Sequence, residues 1–426
     1  MLAGLLFGSF AVLLFCNVPI GLCLGMSSIF ALLYTGTALD VVPSNVFAAT
    51  SKFVLLAIPF FILGGNIMEK AGISGRLIAL AQACVGHFKG GLAIVCVIVA
   101  CFFAAISGSG PATVAALGAI IVPSMVKAGY PVAFSAALMA TAGAIGVIIP
   151  PSVSFVIYGS ISDQSIGKLF MSGIVPGLFM GAGLVAVALW MTQKADLQLV
   201  PRSSGKERWI AFKDAFWGLM MPVIILGGIY GGIFTPTEAA AVSAVYGLLV
   251  GIFIYKSVRI KELYQILVDS LSQTSVVMFI IANASLFAWV ITVEGIAESA
   301  SEALISIANG NSIIFFLFVN IILLIAGCFL DGASAYYIFV PIFMPVAQAL
   351  GVDLIHLGAV MVMNLAIGLV TPPVGVNLYV ACGLGKITLK DISKAVVPFV
   401  LVSIVVLMFV TYIPAISMTL PNMLST

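Results

Sequence analysis

Long apolar runs, separated by short polar breaks, follow one another along the 426 residues. Runs long enough to cross a bilayer predict membrane helices near 2–16, 19–36, 48–68, 168–193, 209–230, 236–256, 266–292 and 392–416. Two other stretches, 90–127 and 311–349, have a glycine-containing polar tip near the middle and predict helical hairpins. Each hairpin arm has roughly 16 residues, fewer than the ~20 of a full span. We therefore expect both hairpins to enter and leave the membrane on one side.

A broken helix is predicted behind each hairpin, at 132–161 and 353–385, because adjacent prolines interrupt both segments. The two hairpin-and-break segments repeat at a shift of 222 positions. The coinciding pairs are Gly110 and Gly332, Pro123 and Pro345, Gly129 and Gly351, Gly146 and Gly368, and the prolines at 150–151 and 372–373. Glycine and proline act on backbone geometry, so their coincidence indicates a duplicated fold. We predict two repeats, 1–193 and 209–426, joined by a polar loop at 194–208.

The distribution of Lys and Arg predicts that the two repeats are inverted. The span map puts four basic clusters on one face: Lys70, Arg76 and Lys89; Lys194, Arg202, Lys206, Arg208 and Lys213; Lys256, Arg259 and Lys261; and Lys386, Lys390 and Lys394. The segment before the second hairpin carries Glu294, Glu298 and Glu302 and no basic residue. Because Lys and Arg mark the cytoplasmic side, one hairpin should enter from the cytoplasm and the other from outside, with both termini outside.

Composition agrees with an all-α polytopic membrane protein. Hydrophobic residues make up 62% of the chain and charged residues 8%, too few for a soluble surface. A β-barrel would show short alternating segments instead. The net charge of +2, without a basic patch among aromatics, predicts no nucleic-acid role. The first residues have no basic region, so we expect no cleaved signal peptide.

Candidate sites lie at the hairpin tips and helix breaks, because non-helical backbone at membrane depth must be buried in protein or line a cavity. The first tip, Ser107–Pro111, is flexible and rich in oxygen donors. The half-helix that follows Pro150 has its positive end in the membrane, which favours an anion there. The competing interpretations are a small-residue helix contact for the tip and a simple proline kink for the break.

The second half carries the one acid that we place in the membrane interior, Asp331. A buried carboxylate is a functional candidate because its burial is costly, although it could also cap its own turn. The predicted substrate-binding residues are Ser109, Ser152, Ser154, Asp331 and Asn377. The predicted sodium ligands are Ser107, Gly108, Ser109, Gly110, Gly146, Ile149, Phe329, Asp331, Gly332, Ser334, Gly368, Val370 and Thr371.

Sodium is the expected coupling ion, with no organic cofactor. Carbonyl and hydroxyl oxygens suit it, whereas proton coupling would require a chain of titratable groups. Besides Asp331, the sequence offers only His87 and His356, both placed near a surface. Each hairpin and its break would hold one cation, with the substrate anion between them.

A further motif, GIFTPTEAAA at 232–241, predicts a helix start. Thr235 is the expected N-cap, Pro236 takes the first turn, and Glu238 closes a capping box. This local role explains the motif fully, so we assign Glu238 no transport chemistry.

With these motifs, the chain resembles the large membrane subunit of tripartite ATP-independent periplasmic (TRAP) transporters over essentially its full length. The residues that carry the resemblance are GIFTPTEAAA at 232–241, IPFFILGGNIMEKAGIS at 58–74, SGSGPAT at 107–113 and TPPVG at 371–375. The resemblance implies an elevator-type, sodium-driven importer of organic anions in the bacterial inner membrane. It also implies a separate small four-helix membrane subunit and a periplasmic substrate-binding protein as partners. The family handles sialic acids, C4-dicarboxylates and other carboxylates, and the overall resemblance leans towards the sialic-acid group.

Three alternatives remain. A self-sufficient sodium–dicarboxylate carrier would share the broken-helix architecture, and a passive channel would conduct without sodium. An intramembrane hydrolase could use Ser109 or Asp331, but the serine has no base placed near it and the aspartate has no partner acid.

Overall fold

The computed structural model describes residues 2–195, 197–198 and 200–423, and the regular secondary structure in them is helical. The first half contains α1 (Leu2–Phe15), α2 (Ile20–Thr35), α3 (Val41–Thr50), α4 (Ala57–Lys70), α5 (Ile73–Val85), α6 (Gly91–Ser107), α7 (Gly110–Lys127), α8 (Val132–Ile148), α9 (Val153–Ser162) and α10 (Ile166–Thr192). The second contains α11 (Gly205–Tyr230), α12 (Pro236–Leu249), α13 (Ile260–Val293), α14 (Ile296–Ala308), α15 (Ser312–Gly327), α16 (Gly332–Ala349), α17 (Leu354–Gly368), α18 (Val376–Gly385), α19 (Leu389–Tyr412) and α20 (Ala415–Met423). Within the described residues, nine helices are long and apolar enough to span a membrane, which confirms the multi-pass helical class.

The predicted helix at 48–68 is instead divided into α3, a 3-10 turn at Phe53–Leu56 and α4. The division falls at Lys52, which is extended and donates from its ammonium to the main-chain oxygen of Ser160 in α9. The break in the helix thus allows the Lys52 ammonium to reach a main-chain oxygen of α9. The last predicted helix, 392–416, is also divided, because Pro414 follows the end of α19.

The central loop is shorter than the predicted 194–208. Helix α11 already begins at Gly205, where Ser204 and Glu207 form a capping box. The predicted capping box of α12 is confirmed: Glu238 N donates to Thr235 Oγ1 at 3.3 Å, and Thr235 N donates to Glu238 Oε2 at 2.8 Å.

Two short helices, α5 and α14, were not predicted. Each connects a long helix to a hairpin and begins after a glycine with positive φ, Gly72 or Gly295. Helix α5 buries one face, which includes Ile73, Leu77 and Ile78. A 13-residue amphipathic helix is too short to cross the bilayer. It also lacks the long apolar run from which the membrane helices were predicted.

The helix bounds repeat at the shift predicted from the breakers. With the shift of 222 positions, the first and last residues of α7 correspond to those of α16. Both helices are followed by a glycine with positive φ, Gly129 and Gly351. The Pro150–Pro151 and Pro372–Pro373 peptide bonds are both cis. The matching helix bounds and positive-φ glycines support a duplicated fold, while its inversion across the membrane stays a prediction.

The two halves exchange contacts at their centre. Helix α7 of the first hairpin packs on α18 of the second half, and α16 of the second hairpin packs on α9 of the first. Helices α8 and α17, which contact each other, are buried over almost their whole length. Each hairpin tip therefore lies beside the broken helix of the opposite half.

Candidate functional site

A cavity of about 560 Å³ lies between the two hairpin tips. The first tip, the start of α9 and the second tip form three of its walls. The side chains of α4 and α13 that close it are Ile62, Asn66, Glu69, Gln273, Val276, Val277 and Ile280. The predicted residues that line it are Ser107, Gly108, Ser109, Gly110, Ser154, Asp331 and Gly332.

Three helices begin at this cavity. The first residues of α7, α9 and α16 all line it. The N-caps of α7 and α9, Ser109 and Ser152, make no side-chain capping bond, so their first-turn N–H groups have no such partner. The helix dipoles and these N–H groups create a positive potential without a cationic side chain.

The first tip is fixed against the break between α8 and α9. Gly108 has φ +61°, and a Cβ there would lie 2.9 Å from the oxygen of Pro151, so a larger residue does not fit. The Ser107 hydroxyl is 3.4 Å from the oxygen of Ser109. That oxygen also accepts from the N–H and hydroxyl of Thr113, at 3.1 and 2.8 Å.

Prolines at the first break leave two carbonyls without their helical donors. Pro150 and Pro151 have no N–H for the oxygens of Gly146 and Val147. The Ser152 hydroxyl donates to Val147 O at 2.5 Å, so this predicted substrate residue is fully buried and lies outside the cavity walls. The Gly146 carbonyl also lacks its helical donor, but Gly146 does not line the cavity.

Asp331 acts as the N-cap of α16. Its Oδ2 accepts from Ser334 N at 3.2 Å, and its Oδ1 accepts from the Ser334 hydroxyl at 2.5 Å. The structure therefore confirms that Asp331 caps its own turn. The same carboxylate lines the cavity, so capping and ligand binding are compatible.

Oxygens at the second break are more fully used. The oxygen of Gly368 accepts from Thr371 N at 3.1 Å, and the Thr371 hydroxyl donates to Ile367 O at 2.8 Å. Gly368 also touches the hairpin backbone, since a Cβ there would lie 2.6 Å from the Cα of Gly327. The cavity lining does not include five of the predicted ligands, Phe329, Ser334, Gly368, Val370 and Thr371. Ile149 packs its side chain against Gly177 of α10.

Asn377 is buried between the halves instead of facing the cavity. Its Nδ2 donates to the oxygen of Ala140 at 3.0 Å, which fixes the orientation of the amide. Its Oδ1 has no hydrogen-bond partner among the described residues. A Cβ on Gly110 would lie 3.2 Å from that Oδ1. A desolvated amide oxygen without a donor is a suitable cation ligand.

Three polar cavity residues were not predicted: Asn66, Glu69 and Gln273. Asn66 Nδ2 donates to Ser270 Oγ at 2.9 Å and lies 3.4 Å from Gln273 Oε1. A second cavity of about 340 Å³ shares these three residues and adds Lys70 and Asp269. The predicted span ended at 68 and so excluded Glu69, although the i, i+3 spacing of Asn66 and Glu69 in an apolar helix was a usable signal.

His356 is buried within the protein, away from both tips. Its Nδ1 lies 2.8 Å from Ser417 Oγ, and its Nε2 lies 3.1 Å from Thr411 O. It connects α17 with the last two helices, which is a structural role.

A family model described as "Tripartite ATP-independent periplasmic transporter, DctM component" matches residues 7–416. A "C4-dicarboxylate TRAP transporter large permease protein DctM" of Pseudomonas aeruginosa is 45% identical over 402 residues, 94% of either chain. A "Sialic acid TRAP transporter large permease protein SiaM" of Vibrio cholerae is 34% identical over 412 residues, 96% of either chain.

Among solved structures, the YdaH transporter of Alcanivorax borkumensis has a TM-score of 0.65 at 12% identity, over 90% of this chain and 89% of that one. At this identity the match concerns the fold alone.

Proposed function

Because the chain belongs to the DctM family of TRAP transporters, we propose that it is the membrane subunit through which sodium drives an organic anion into the cell. It is a multi-pass protein of the bacterial inner membrane. The observation that carries the proposal is the convergence of the uncapped N-termini of α7 and α9 on one cavity between two hairpin tips.

The anion's carboxylate would bind at these two helix starts. No lysine or arginine lines the cavity in the described part of the chain. Main-chain N–H groups, with the hydroxyls of Ser109 and Ser154, are then the donors, and each helix start contributes roughly 0.3–1 kcal/mol, or up to ~2 when partly buried. This chemistry selects a carboxylate, and the names of the relatives include C4-dicarboxylates and sialic acid. We propose a carboxylate of one of these kinds as the substrate.

Sodium would be co-transported at the two tips. Near the first, the Gly146 carbonyl, the Ser107 and Ser109 oxygens and Asn377 Oδ1 offer hard oxygen ligands. Near the second, Asp331 supplies the charge, and Thr371 and Val370 contribute oxygens at the break. A sodium ion bound next to the anion site would neutralise part of the anion's charge. The binding of sodium and the binding of the anion would then favour each other.

The alternating movement would be of the elevator type, with the two inverted repeats carrying the site. The matched helix bounds and the exchanged packing of α7 and α16 support one unit built from both repeats. The family also favours a small membrane subunit and a periplasmic binding protein as partners.

The test is uptake of labelled carboxylates into proteoliposomes that contain this chain, its small subunit and the binding protein. We expect uptake only with an inward sodium gradient and with the binding protein present. Uptake by this chain alone would identify a self-sufficient carrier, and uptake that is unaffected when potassium replaces sodium would identify a passive channel.

A further inference from the structure

A second large cavity lies on the opposite side of the first helix break. It has a volume of about 720 Å³ and lies between α6 and α10 on one side and α11 on the other. All of its lining side chains are apolar; they include Ile94, Phe102, Leu178, Leu189 and Leu226. It shares no residue with the substrate cavity.

The groove has the length of one bilayer leaflet. Along α10 it extends from Ile174 to Leu189, about 22 Å at 1.5 Å per residue. One leaflet, with its headgroup region, takes up about half of the ~40–45 Å bilayer, or about 20–22 Å. The deep end of the groove reaches Ile149 and Pro150 at the helix break, and the other end reaches the loops that carry basic residues.

Lys89 lies at that outer end, and Arg208 is bound to the end of α5 that precedes it in the chain. Gly90 contacts Leu189 there, and its neighbour Lys89 donates to the oxygen of Gln193 at 2.6 Å. Arg208 Nε donates to Ala83 O at 3.1 Å, while its Nη2 is buried without a hydrogen-bond partner among the described residues.

The charged side chains of the surrounding loops are mostly basic. Lys194 and Lys206 are exposed nearby in the chain. The acid beside Arg208, Glu207, is used in the capping box of α11. The mouth therefore has an excess of positive charge.

We propose that this groove binds an anionic phospholipid of the cytoplasmic leaflet, with an acyl chain along α6 and α10 and the phosphate near Lys89 and Arg208. Basic pockets between membrane helices on the cytoplasmic side bind such headgroups. A helix with its side chains is about 10 Å across. An acyl chain is the slimmer occupant.

The position of the groove gives the lipid a structural role. Helix α10 packs on α8, α19 and α20, whereas α11 packs on α5 and α12. The bound chain would fill the boundary between these groups and would touch the back of the Ile149–Pro150 break, whose other side faces the first hairpin tip.

The test is native mass spectrometry of the full chain, reconstituted with equal amounts of dioleoyl-phosphatidylglycerol and dioleoyl-phosphatidylcholine and then returned to detergent. We expect one phosphatidylglycerol to remain bound, with a preference of about 30-fold for two basic contacts. The double variant Lys89→Gln and Arg208→Gln should lose this preference, and Ala182→Trp, at an exposed groove position, should release both lipids.

Matched controls are Lys390→Gln, an exposed lysine of another basic cluster, and Val405→Trp, an exposed residue of α19. Neither should change lipid retention. Equal retention of the two lipids by the wild type, or full retention by Ala182→Trp, would overturn the proposal. A cysteine at Ala186 that crosslinks to the co-expressed small subunit would also overturn it, because a helix would then occupy the groove.

Discussion

The side-chain amide of Asn377 donates to the main-chain oxygen of Ala140 across 237 positions, so one hydrogen bond joins α18 of the second half to α8 of the first. In an Asn377→Leu variant, the Ala140 oxygen would keep its donor within α8 but lose this second bond, at a cost of about 0.5–1.5 kcal/mol. We expect a lower thermal midpoint in detergent and reduced uptake. Tyr379→Phe, at a residue of the same helix that is 53% exposed, is the control. A variant that keeps both the midpoint and the uptake would show that this bond is dispensable.

Replacing Asp331 by Asn should separate its charge from its capping role. Asn caps a helix about as well as Asp, so the Asp331→Asn protein should insert and melt like the wild type. Its sodium-driven uptake should fall at least about tenfold, because the intramembrane charge is lost. The control is Asp353→Asn, which makes the same change at the N-cap of α17, outside the cavity. Unchanged uptake would remove Asp331 from the site.

Removal of single hydroxyls should weaken sodium binding. Ser109→Ala and Thr371→Ala each delete one candidate ligand, so the sodium concentration for half-maximal uptake should rise roughly three- to tenfold, as expected for an interaction worth ~1 kcal/mol. Ser124→Ala, in which the lost hydroxyl only donates to Ile120 O within α7, should leave that concentration unchanged. If both site variants retain the wild-type sodium dependence, the cation sites lie elsewhere.

Glu69 should repel an anion that occupies the cavity. Glu69→Gln removes a negative charge from the wall, and we expect the KM for the carboxylate to fall roughly two- to fivefold, less than about 1 kcal/mol. Glu262→Gln, at an exposed acid of α13 outside the cavity, is the control. A higher KM would instead show that Glu69 accepts a hydrogen bond from the substrate.

The two hairpin tips should be accessible from opposite sides of the membrane. In a variant without the seven native cysteines, we would place single cysteines at Ala112 and at Ala333 and label them with an impermeant maleimide. The first should react from the cytoplasmic side and the second from outside, and a cysteine at Lys206 marks the cytoplasmic side. Labelling of both tips from the same side would contradict inverted repeats.

The sequence predicted the features that depend on local backbone chemistry. The adjacent prolines at 150–151 and at 372–373 each interrupt a helix, and the Thr235–Glu238 capping box needs only four consecutive residues. Helices α5 and α14 were missed because their periodic pattern is short and lies between longer apolar runs.

The cavity walls could be predicted less well, because they depend on packing between distant segments. Asn66 and Gln273 come together only when α4 contacts α13. Asn377 follows the second break in sequence, yet its amide turns towards the first half. No spacing rule within one segment indicates which of two neighbouring helices a polar side chain will face.

The exchanged packing of α7 on α18 and α16 on α9 has a consequence for biosynthesis. When the ribosome has inserted the first half, the partner surfaces for α7 and α9 have not yet been made. The first tip and break therefore lack these contacts until the second hairpin, which begins at Ser312, and α18, which begins at Val376, have been synthesised. A chain truncated before α16 would expose unpaired backbone to lipid, which makes it a substrate for membrane quality control rather than half of a transporter.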